Sequence, residues 1–292
     1  MPTSIRDSAD SAVDPPVRGF LHTPETSNGA ALVLTHGAGG NAQAPLLRAL
    51  VEAFTAAGFT VLRCNLPYRQ ARSFGPPGPS DAARDRAGLK NAIACMKKIL
   101  RAPTQNGDAP LLADFARDGK TKEDMGAPSL SRSLRQGGDV DSASPANGWG
   151  KVYLGGHSYG GRQSSMLCAE LSAASDPAER DLVSGLLLLS YPLHPPRRPE
   201  QQRTQHLPDL RTPTLFVHGT RDPFGSIPEL ERAIKMIPAP TKLLAVEGAG
   251  HDLGFKGKGT NAALPAQILA EFAAFFGLSS DSGLSSASGL SS

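Results

Sequence analysis

Short apolar runs alternate with segments of helical periodicity along most of this chain, and this alternation limits the possible folds. The runs typical of short strands are VRGFLHT (17–23), ALVLTH (31–36), FTVLRCN (59–65), VYLGG (152–156), SGLLLLSY (184–191), PTLFVHG (213–219) and TKLLAVEG (241–248). Helical segments are predicted at 44–58, 81–101, 161–174, 226–236 and 263–277. Strands separated by helices favour an α/β fold with a mainly parallel, doubly wound sheet flanked by helices. The first run, 17–23, is expected to be an edge strand.

Three segments fall outside this alternation. Residues 1–15 are predicted to be a disordered tail. Residues 279–292 are a low-complexity repeat of Gly, Leu and Ser and are predicted to be a second disordered tail. The stretch at about 103–149 is rich in Gly, Pro, Ser and Asp and predicts a flexible insertion that includes Trp149. Because it connects a helix to a strand, it should lie at the amino ends of the strands, away from any active site. The remaining residues, 16–278, are predicted to form a single domain.

Charge and cysteine usage limit the classes of partner and compartment. A formal net charge of +3 over 292 residues does not favour nucleic acid or a membrane surface as a partner. The longest apolar run, LLLL at 186–189, is too short to span a membrane. The cysteines Cys64, Cys95 and Cys168 form no CxxC pair, and their odd number disfavours a disulfide framework. This predicts a reducing compartment, and we expect a cytoplasmic protein. The sequence predicts no oligomeric state.

The segment YLGGHSYGGRQ (153–163) contains the pattern G-x-S-x-G, centred on Ser158. The pattern alone is weak, but here it follows a predicted strand and opens a predicted helix. In that setting, side chains at Gly156 and Gly160 would collide with the neighbouring helix and strand, so glycine is required at both positions. The hydroxyl then stands clear of the backbone at a helix amino terminus, which favours developing negative charge. A glycine-rich turn without chemistry is the alternative.

A serine nucleophile needs a histidine to accept its proton and an acid to orient that histidine. In this architecture the three residues follow in the order Ser, Asp, His, each after a strand. Asp222 follows the run PTLFVHG, and His251 follows the run TKLLAVEG. Asp209 and Asp252 are rival acids, but the first precedes its strand and the second adjoins the histidine. The alternatives are that Asp222 caps the helix beginning near Ser226 and that His251 is a surface residue.

The segment THGAGG (35–40) begins at the end of the run ALVLTH. A tetrahedral oxyanion needs two backbone N–H donors, one from the residue after the nucleophile and one from this early loop. Tyr159 is predicted to supply the first donor and Ala38 the second, with Gly39 as the alternative to Ala38. The simpler possibility is that the segment only turns the chain from strand to helix.

The remaining histidines provide no metal-binding motif. His22, His36, His157, His194, His206 and His218 show no HxxxH or HExxH spacing. The P-loop and G-x-G-x-x-G patterns are also absent. We therefore predict neither a metal nor a cofactor. His36 and His218 are expected to be turn residues, and His157 is expected to point into the structure.

In chain order, THGAGG, GGHSYGGR, LLLSYPLHPP, LFVHGTRDPFG and GAGHDL resemble the motifs of the α/β-hydrolase fold over roughly 17–102 and 150–277. SYPLHPP followed by HGTRDPFG is similar, more narrowly, to a subfamily that includes testis-expressed hydrolase-like proteins and a subunit of a histone acetyltransferase complex. The resemblance implies a nucleophile at Ser158, an acid at Asp222 and a base at His251. It also implies an alternative function, because some members of this group act as non-catalytic scaffold or binding subunits.

We therefore predict a serine hydrolase that cleaves a small or medium ester or thioester through an acyl-enzyme, with amide cleavage left open. The segment 192–210 is expected near the mouth of the site, where Arg197, Arg198 and Arg203 could attract an anionic acyl group, or it is simply a solvated loop. No large lid domain is evident there, which favours an open site. A dienelactone-hydrolase-type enzyme shares the fold, but that group usually carries a cysteine nucleophile.

Overall fold

The computed structural model describes residues 4–10, 13–101, 150–256 and 261–278. Its strands are β1 (Ser4–Asp10), β2 (Val17–Thr23), β3 (Ala30–Thr35), β4 (Thr60–Asn65), β5 (Lys151–His157), β6 (Gly185–Leu189), β7 (Thr214–Gly219) and β8 (Thr241–Val246). Its helices are α1 (Pro45–Ala56), α2 (Pro67–Ala71), α3 (Asp81–Arg101), α4 (Tyr159–Ser172), α5 (Pro177–Arg180), α6 (Ile227–Ile234) and α7 (Leu264–Phe276). The strands form one sheet in the order β1-β2-β4-β3-β5-β6-β7-β8.

The sheet is mainly parallel, as the alternation of runs predicts. Strands β3 to β8 pair in parallel, whereas β2 is antiparallel to both of its neighbours, β1 and β4. Parallel neighbours must be joined by crossovers, and the helices of these crossovers cover both faces of the sheet. The doubly wound α/β arrangement is therefore confirmed.

The beginning of the chain corrects one prediction. Ser4–Asp10 pairs antiparallel with Val17–Thr23 along its whole length, so the disordered tail predicted over 1–15 is wrong for this stretch. Val17–Thr23 is consequently the second strand and not the edge. An edge strand is hydrogen bonded on one side only and commonly carries charged residues, so the polar sequence SIRDSAD gave no strand signal.

Each face of the sheet packs against its own helices. Strand β3 is buried along its whole length, and its side chains alternate between the two faces. Ala31 and Val33 belong to the core cluster that includes residues of α3 and α4. Leu32 and Leu34 belong to the cluster that includes residues of α1 and α7. The apolar character of β3 on both faces is the reason that it lies in the middle of the sheet.

The carboxyl ends of the parallel strands meet at one edge of the sheet. Thr35, the last residue of β3, pairs with Gly156 of β5, and His157 pairs with Leu189, the last residue of β6. Strands β7 and β8 also end in register. The loops that follow these strands therefore emerge side by side, which is the usual place for a ligand site in an open α/β sheet.

The flanks of the predicted insertion lie at the opposite edge. Helix α3 ends at Arg101, and the Gly150 amide, just before β5, donates to the Gly29 carbonyl just before β3 over 2.9 Å. Gly150 and its partner Gly29 thus both lie at the amino ends of strands. The segment between these flanks, with Trp149, and the predicted tail at 279–292 lie outside the described residues.

The connection between β6 and β7 contains no lid domain. Residues 190–213 are all described, and their only regular element is a single 3₁₀ turn at Leu207–Asp209. The expectation of a fold without a large lid is met here. None of the helices within the described ranges is long and apolar enough to cross a membrane.

Several buried histidines are neutral in the folded chain. The His22 Nε2 atom accepts from Arg63 Nε over 3.0 Å, and burial together with the Arg63 charge lowers the pKa of His22 to about 4. The His36 Nε2 atom accepts from the Leu66 amide over 3.2 Å, and burial lowers the pKa of this ring to about 4. Burial also lowers the pKa of His206 to about 4. Protonation of any of these rings would create a positive charge in a site that is shielded from water.

We expect the free energy of unfolding to fall as the pH is lowered from about 6.5 to about 4. In this window the unfolded histidines, with pKa values near 6.5, bind protons that the folded rings exclude, so acid favours the unfolded chain. Above this window the contribution is fully present. Chemical denaturation at a series of pH values measures the effect. A His22→Gln variant, whose amide oxygen can still accept from Arg63, should show a smaller fall, and a pH-independent stability would contradict the prediction.

Candidate active site

Ser158 occupies the sharp turn between β5 and α4. Its backbone is in the left-handed region, with φ 51° and ψ −115°, which is uncommon for a residue with a side chain. The Ser158 amide donates to the Leu189 carbonyl over 2.8 Å, which ties the turn to the end of β6. Only 9% of the residue is accessible to solvent. The turn therefore presents one serine hydroxyl at the carboxyl edge of the sheet.

Glycines on both sides make this turn possible. A Cβ atom added to Gly156 would lie 2.6 Å from the carbonyl carbon of Gly160, in the first turn of α4. A Cβ atom added to Gly160 would lie 2.5 Å from the His36 carbonyl oxygen and 2.7 Å from Thr35 Cγ2. These contacts supply a steric reason for glycine at both positions, because strand and helix approach each other too closely for a side chain.

The loops after β7 and β8 bring an acid and a histidine to this hydroxyl. His251 Nε2 lies 2.8 Å from Ser158 Oγ, and His251 Nδ1 lies 2.8 Å from Asp222 Oδ2. Because a carboxylate only accepts, Nδ1 carries the proton in the neutral ring, and Nε2 is left to accept from the serine hydroxyl. The structure thus brings together the three residues that the sequence predicts.

Backbone contacts hold these two loops together. A Cβ atom at Gly219 would lie 2.3 Å from the Ala249 carbonyl oxygen, so the end of β7 touches the loop after β8 directly. The Arg221 amide donates to the same Ala249 carbonyl over 2.9 Å, and the Thr220 amide donates to the Val246 carbonyl over 3.0 Å. The acid and the histidine are therefore carried by one interlocked pair of loops.

The contacts of the three acids argue against the alternatives to Asp222 as the partner of His251. Helix α6 is capped by Ser226 and Glu229, which form a capping box, so Asp222 is not its cap. The Asp222 Oδ1 atom accepts from the Phe224 amide over 2.9 Å. The Asp252 carboxylate accepts from the amide of Lys256 over 2.6 Å and thereby closes its own turn. Asp209 lies within the 3₁₀ turn before β7.

Three further side chains contact His251 or the loop that carries Asp222, and the sequence did not indicate this role for any of them. The His157 Nε2–H donates to the His251 carbonyl over 2.7 Å, and burial lowers the pKa of His157 to about 4, which keeps it neutral. The His218 Nε2–H donates to the Gly225 carbonyl over 2.8 Å, and burial lowers its pKa as well. The Phe224 ring lies 4.2 Å from the His251 ring, centroid to centroid. The position of His157 directly before Ser158 is the one feature of the sequence that could have indicated a role beside His251.

Two groups of backbone amides lie beside the serine. The Gly37 carbonyl accepts from His36 Nδ1 over 2.9 Å, and the Ala38 carbonyl accepts from the Tyr68 hydroxyl over 2.8 Å and from Arg69 over 3.1 Å. In a trans peptide the N–H points away from the carbonyl, so the amides that follow these carbonyls face the opposite side. No described residue accepts from the Ala38, Gly39 or Tyr159 amide.

A cavity of about 570 Å³ opens beside Ser158 and His251. Its apolar wall contains Ala44, Pro45, Leu46, Leu47, Phe224 and Phe255, and its polar rim contains Asn41, Gln43, Asp252 and Lys256. Ala38 and Gly39 also line it, next to the serine. The cavity therefore combines an apolar wall with the reactive groups at one end.

The arginines predicted at the mouth of the site do not line this cavity. Arg197, Arg198 and Arg203 are not among the residues that line it, and among the described residues Lys256 is the lysine or arginine that does. The segment that carries the arginines contacts the Phe224 loop, where the His194 amide donates to the Phe224 carbonyl over 3.0 Å, and Arg197 and Arg198 are exposed, as expected of a solvated loop.

Within the ranges that the structure describes, no group of three or more His, Cys, Asp or Glu side chains could hold a metal ion.

Comparisons with known proteins agree with this architecture. The family described as alpha/beta hydrolase domain matches residues 87–276, more than half of the chain. A dienelactone hydrolase from Anabaena variabilis is similar at 19% identity and TM-score 0.59, over 93% of this chain and 97% of that one. An alpha-beta serine hydrolase homologue from Coxiella burnetii is similar at 14% identity and TM-score 0.56, over 93% and 98%. A serine hydrolase without lid from Xanthomonas campestris is similar at 13% identity and TM-score 0.56, over 92% and 94%. The predicted α/β-hydrolase fold is confirmed.

We expect Gly160→Ala to lower the free energy of unfolding by about 1–3 kcal/mol, because the new methyl group overlaps the His36 carbonyl oxygen, just after β3, and Thr35 Cγ2. Gly40→Ala is the matched control in the neighbouring loop, where an added Cβ meets its nearest atom at 3.6 Å, an ordinary contact. Urea denaturation of both variants measures the difference. Equal stabilities of the two variants would refute the steric requirement at Gly160.

Proposed function

The chain belongs to the alpha/beta hydrolase domain family, and from this premise we propose that it is a serine hydrolase. Its substrate would be a small or medium ester or thioester, cleaved through an acyl-enzyme. The observation that carries the proposal is the continuous contact from Ser158 Oγ to His251 and from His251 to Asp222, with 2.8 Å in each step. This is the arrangement that a serine hydroxyl needs to become a nucleophile at neutral pH.

Acylation begins with attack of Ser158 Oγ on the carbonyl carbon of the substrate. His251 Nε2 takes the hydroxyl proton as the new O–C bond forms, and Asp222 stabilises the resulting imidazolium through the bond to Nδ1–H. The tetrahedral intermediate collapses when His251 returns this proton to the departing alcohol or thiol. The acyl group then remains on the serine as an ester.

The negative charge of the intermediate requires donors that are already in place. We assign this role to the Tyr159 amide at the start of α4 and to the Ala38 amide, with Gly39 as the alternative. The support is that these amides lack acceptors among the described residues and that Ala38, Gly39 and Ser158 line the same cavity. Donors aimed at the developing oxyanion lower the barrier more than they stabilise the neutral carbonyl.

Deacylation repeats the same proton transfers with water as the nucleophile. His251 removes a proton from a water molecule, the resulting hydroxide attacks the acyl carbon, and the proton passes to Ser158 Oγ as the acid leaves. No metal or cofactor is required in either half. The proposal therefore assigns all of the proton transfers to one histidine.

The cavity favours a substrate of limited size with an apolar portion. Its volume of about 570 Å³ lies within the range of ordinary small-molecule sites, and side chains of α1 and two phenylalanines form its apolar wall. Ester and thioester carbonyls fit this description equally well. A small molecule is thus the proposed partner.

Two narrower proposals accompany this one. The motifs SYPLHPP and HGTRDPFG, which suggest the hydrolase-like subfamily, are in contact, since Leu193 packs 3.0 Å from a Cβ placed on Gly225. Because the two motifs pack together, we treat them as one feature, and this feature supports placing the chain in that subfamily. Cys64, Cys95 and Cys168 are buried and form no disulfide, which supports a reducing compartment and, with it, the cytoplasm.

We expect Ser158→Ala to abolish labelling by a fluorophosphonate probe and to lower kcat for a short-chain nitrophenyl ester by ~10⁴-fold or more. The reason is that the variant retains the pocket but lacks the oxygen that forms the acyl-enzyme. Ser172→Ala is the control at the far end of α4, where the hydroxyl donates to the Cys168 carbonyl over 2.8 Å. Gel-based labelling and steady-state kinetics measure both effects.

Labelling that persists in Ser158→Ala would place the nucleophile elsewhere. A wild-type protein that neither labels nor hydrolyses the ester would favour the alternative function, a non-catalytic scaffold or binding subunit.

We also expect Asp222→Asn to lower kcat by ~10⁴-fold, because the amide nitrogen would favour the wrong tautomer of His251. Asp252→Asn, at the acid next to the histidine in sequence, should change kcat by less than ~10-fold, since that carboxylate binds backbone amides of its own turn. Steady-state kinetics of the two variants distinguish the acids. Similar losses in both variants would contradict the assignment of Asp222.

A further inference from the structure

A buried carboxylate lies between the two chain segments to which the proposed oxyanion donors belong, the loop after β3 and the start of α4. Asp85, on α3, has no measurable exposure to solvent. Its Oδ1 atom accepts from the Tyr68 amide over 3.0 Å, and its Oδ2 atom accepts from the Tyr159 hydroxyl over 2.8 Å. Both oxygens are therefore engaged, one by each side of the site. Neither the proposed mechanism nor the sequence motifs assign a role to this residue.

Tyr159 connects Asp85 to the first donor. The residue begins α4, so its backbone amide follows Ser158 directly, while its side chain reaches back to Asp85. A side-chain anchor on the residue that carries the donor restrains the rotation of its peptide. The N–H of Tyr159 is consequently held at both ends, by the strained turn before it and by the carboxylate below it.

Tyr68 connects Asp85 to the second donor. Its amide is bound by Asp85, and its hydroxyl lies 2.8 Å from the Ala38 carbonyl and 3.2 Å from the Gly37 carbonyl. Arg69 adds bonds to the Ala38 carbonyl over 3.1 Å and to the Gly40 carbonyl over 2.8 Å. Because these carbonyls are held on one side, the amides of Ala38 and Gly39 are held on the other.

The two tyrosines also pack directly against each other. The Tyr68 and Tyr159 rings meet edge to face, with centroids 5.8 Å apart and planes at 88°. The carboxylate and this ring contact together form a bridge between the loop after β3 and the start of α4. Among the described residues, Asp85 is the one whose side chain bonds to both Tyr68 and Tyr159.

We propose that Asp85, Tyr68 and the phenol of Tyr159 are positioning residues that set the separation and direction of the two oxyanion donors. The inference rests on the proposed function, because it concerns the transition state of that reaction. None of the three residues lines the cavity beside Ser158. Their contribution is that the donors are already aimed when the oxyanion forms, so that little reorganisation is needed.

Tyr159→Phe and Tyr68→Phe test the inference, because each removes one hydroxyl and leaves the backbone amides and the rings. We expect kcat per titrated active site to fall about 10- to 100-fold for a nitrophenyl ester, with KM nearly unchanged. The Ki of phenylboronic acid, which forms a tetrahedral anion on the serine, should rise by a similar factor. Asp85→Asn, which can accept only one of the two bonds, should show the same pattern.

Tyr191→Phe is the matched control. Tyr191 is fully buried, and its hydroxyl donates to the Arg203 carbonyl over 2.7 Å, outside the bridge. Titration with the fluorophosphonate corrects each kcat for the active fraction, and thermal denaturation reports folding. If Asp85→Asn does not fold, the two tyrosine variants still decide the question.

Separate outcomes overturn the inference and the proposed function. The inference fails if both tyrosine variants keep the kcat and boronate Ki of Tyr191→Phe. It also fails if their losses follow the melting temperature or the active fraction alone. A wild-type protein that neither labels nor hydrolyses the ester overturns the proposed function, and the inference falls with it.

Discussion

The close approach of α4 to the carboxyl ends of β3 and β5 is the constraint on which the site depends. Gly156 and Gly160 permit this approach, because a side chain at either position would overlap backbone atoms at 2.6 Å or less. The approach forces Ser158 into the left-handed region, at a cost on the order of 1–3 kcal/mol. Surrounding contacts must offset this cost, and the bond from the Ser158 amide to Leu189 of β6 is one of them.

The loops that carry His251 and Asp222 are held by neutral hydrogen-bond donors and by backbone contacts. His157 and His218 are kept uncharged by burial, so each donates one N–H to a carbonyl of the loops that carry His251 and Asp222. Neutral rings at these positions orient the histidine without competing with it for a proton. The only full charge buried beside His251 is therefore Asp222, among the described residues that contact its ring.

Much of this was predictable because it is encoded locally. The apolar runs predicted β2 to β8 to within a residue or two, and the order of Ser158, Asp222 and His251 followed from the loops after strands. Local patterns did not reveal β1, whose polar sequence lacks the alternation of a half-buried strand. They also left open whether the arginines of 192–210 act at the site, because the position of a loop beyond a strand end depends on the loops it packs against.

The sequence by itself determined which residues stand at strand ends and where glycine was needed, because both depend on periodicity and on the backbone freedom of single residues. Only the tertiary structure decided which side chains meet. Asp85 reaches Tyr68 and Tyr159 across 17 and 74 positions of the chain. Such contacts depend on how far α3 is rotated and shifted against the sheet. That placement results from packing of the whole core, and no local pattern of residues records it.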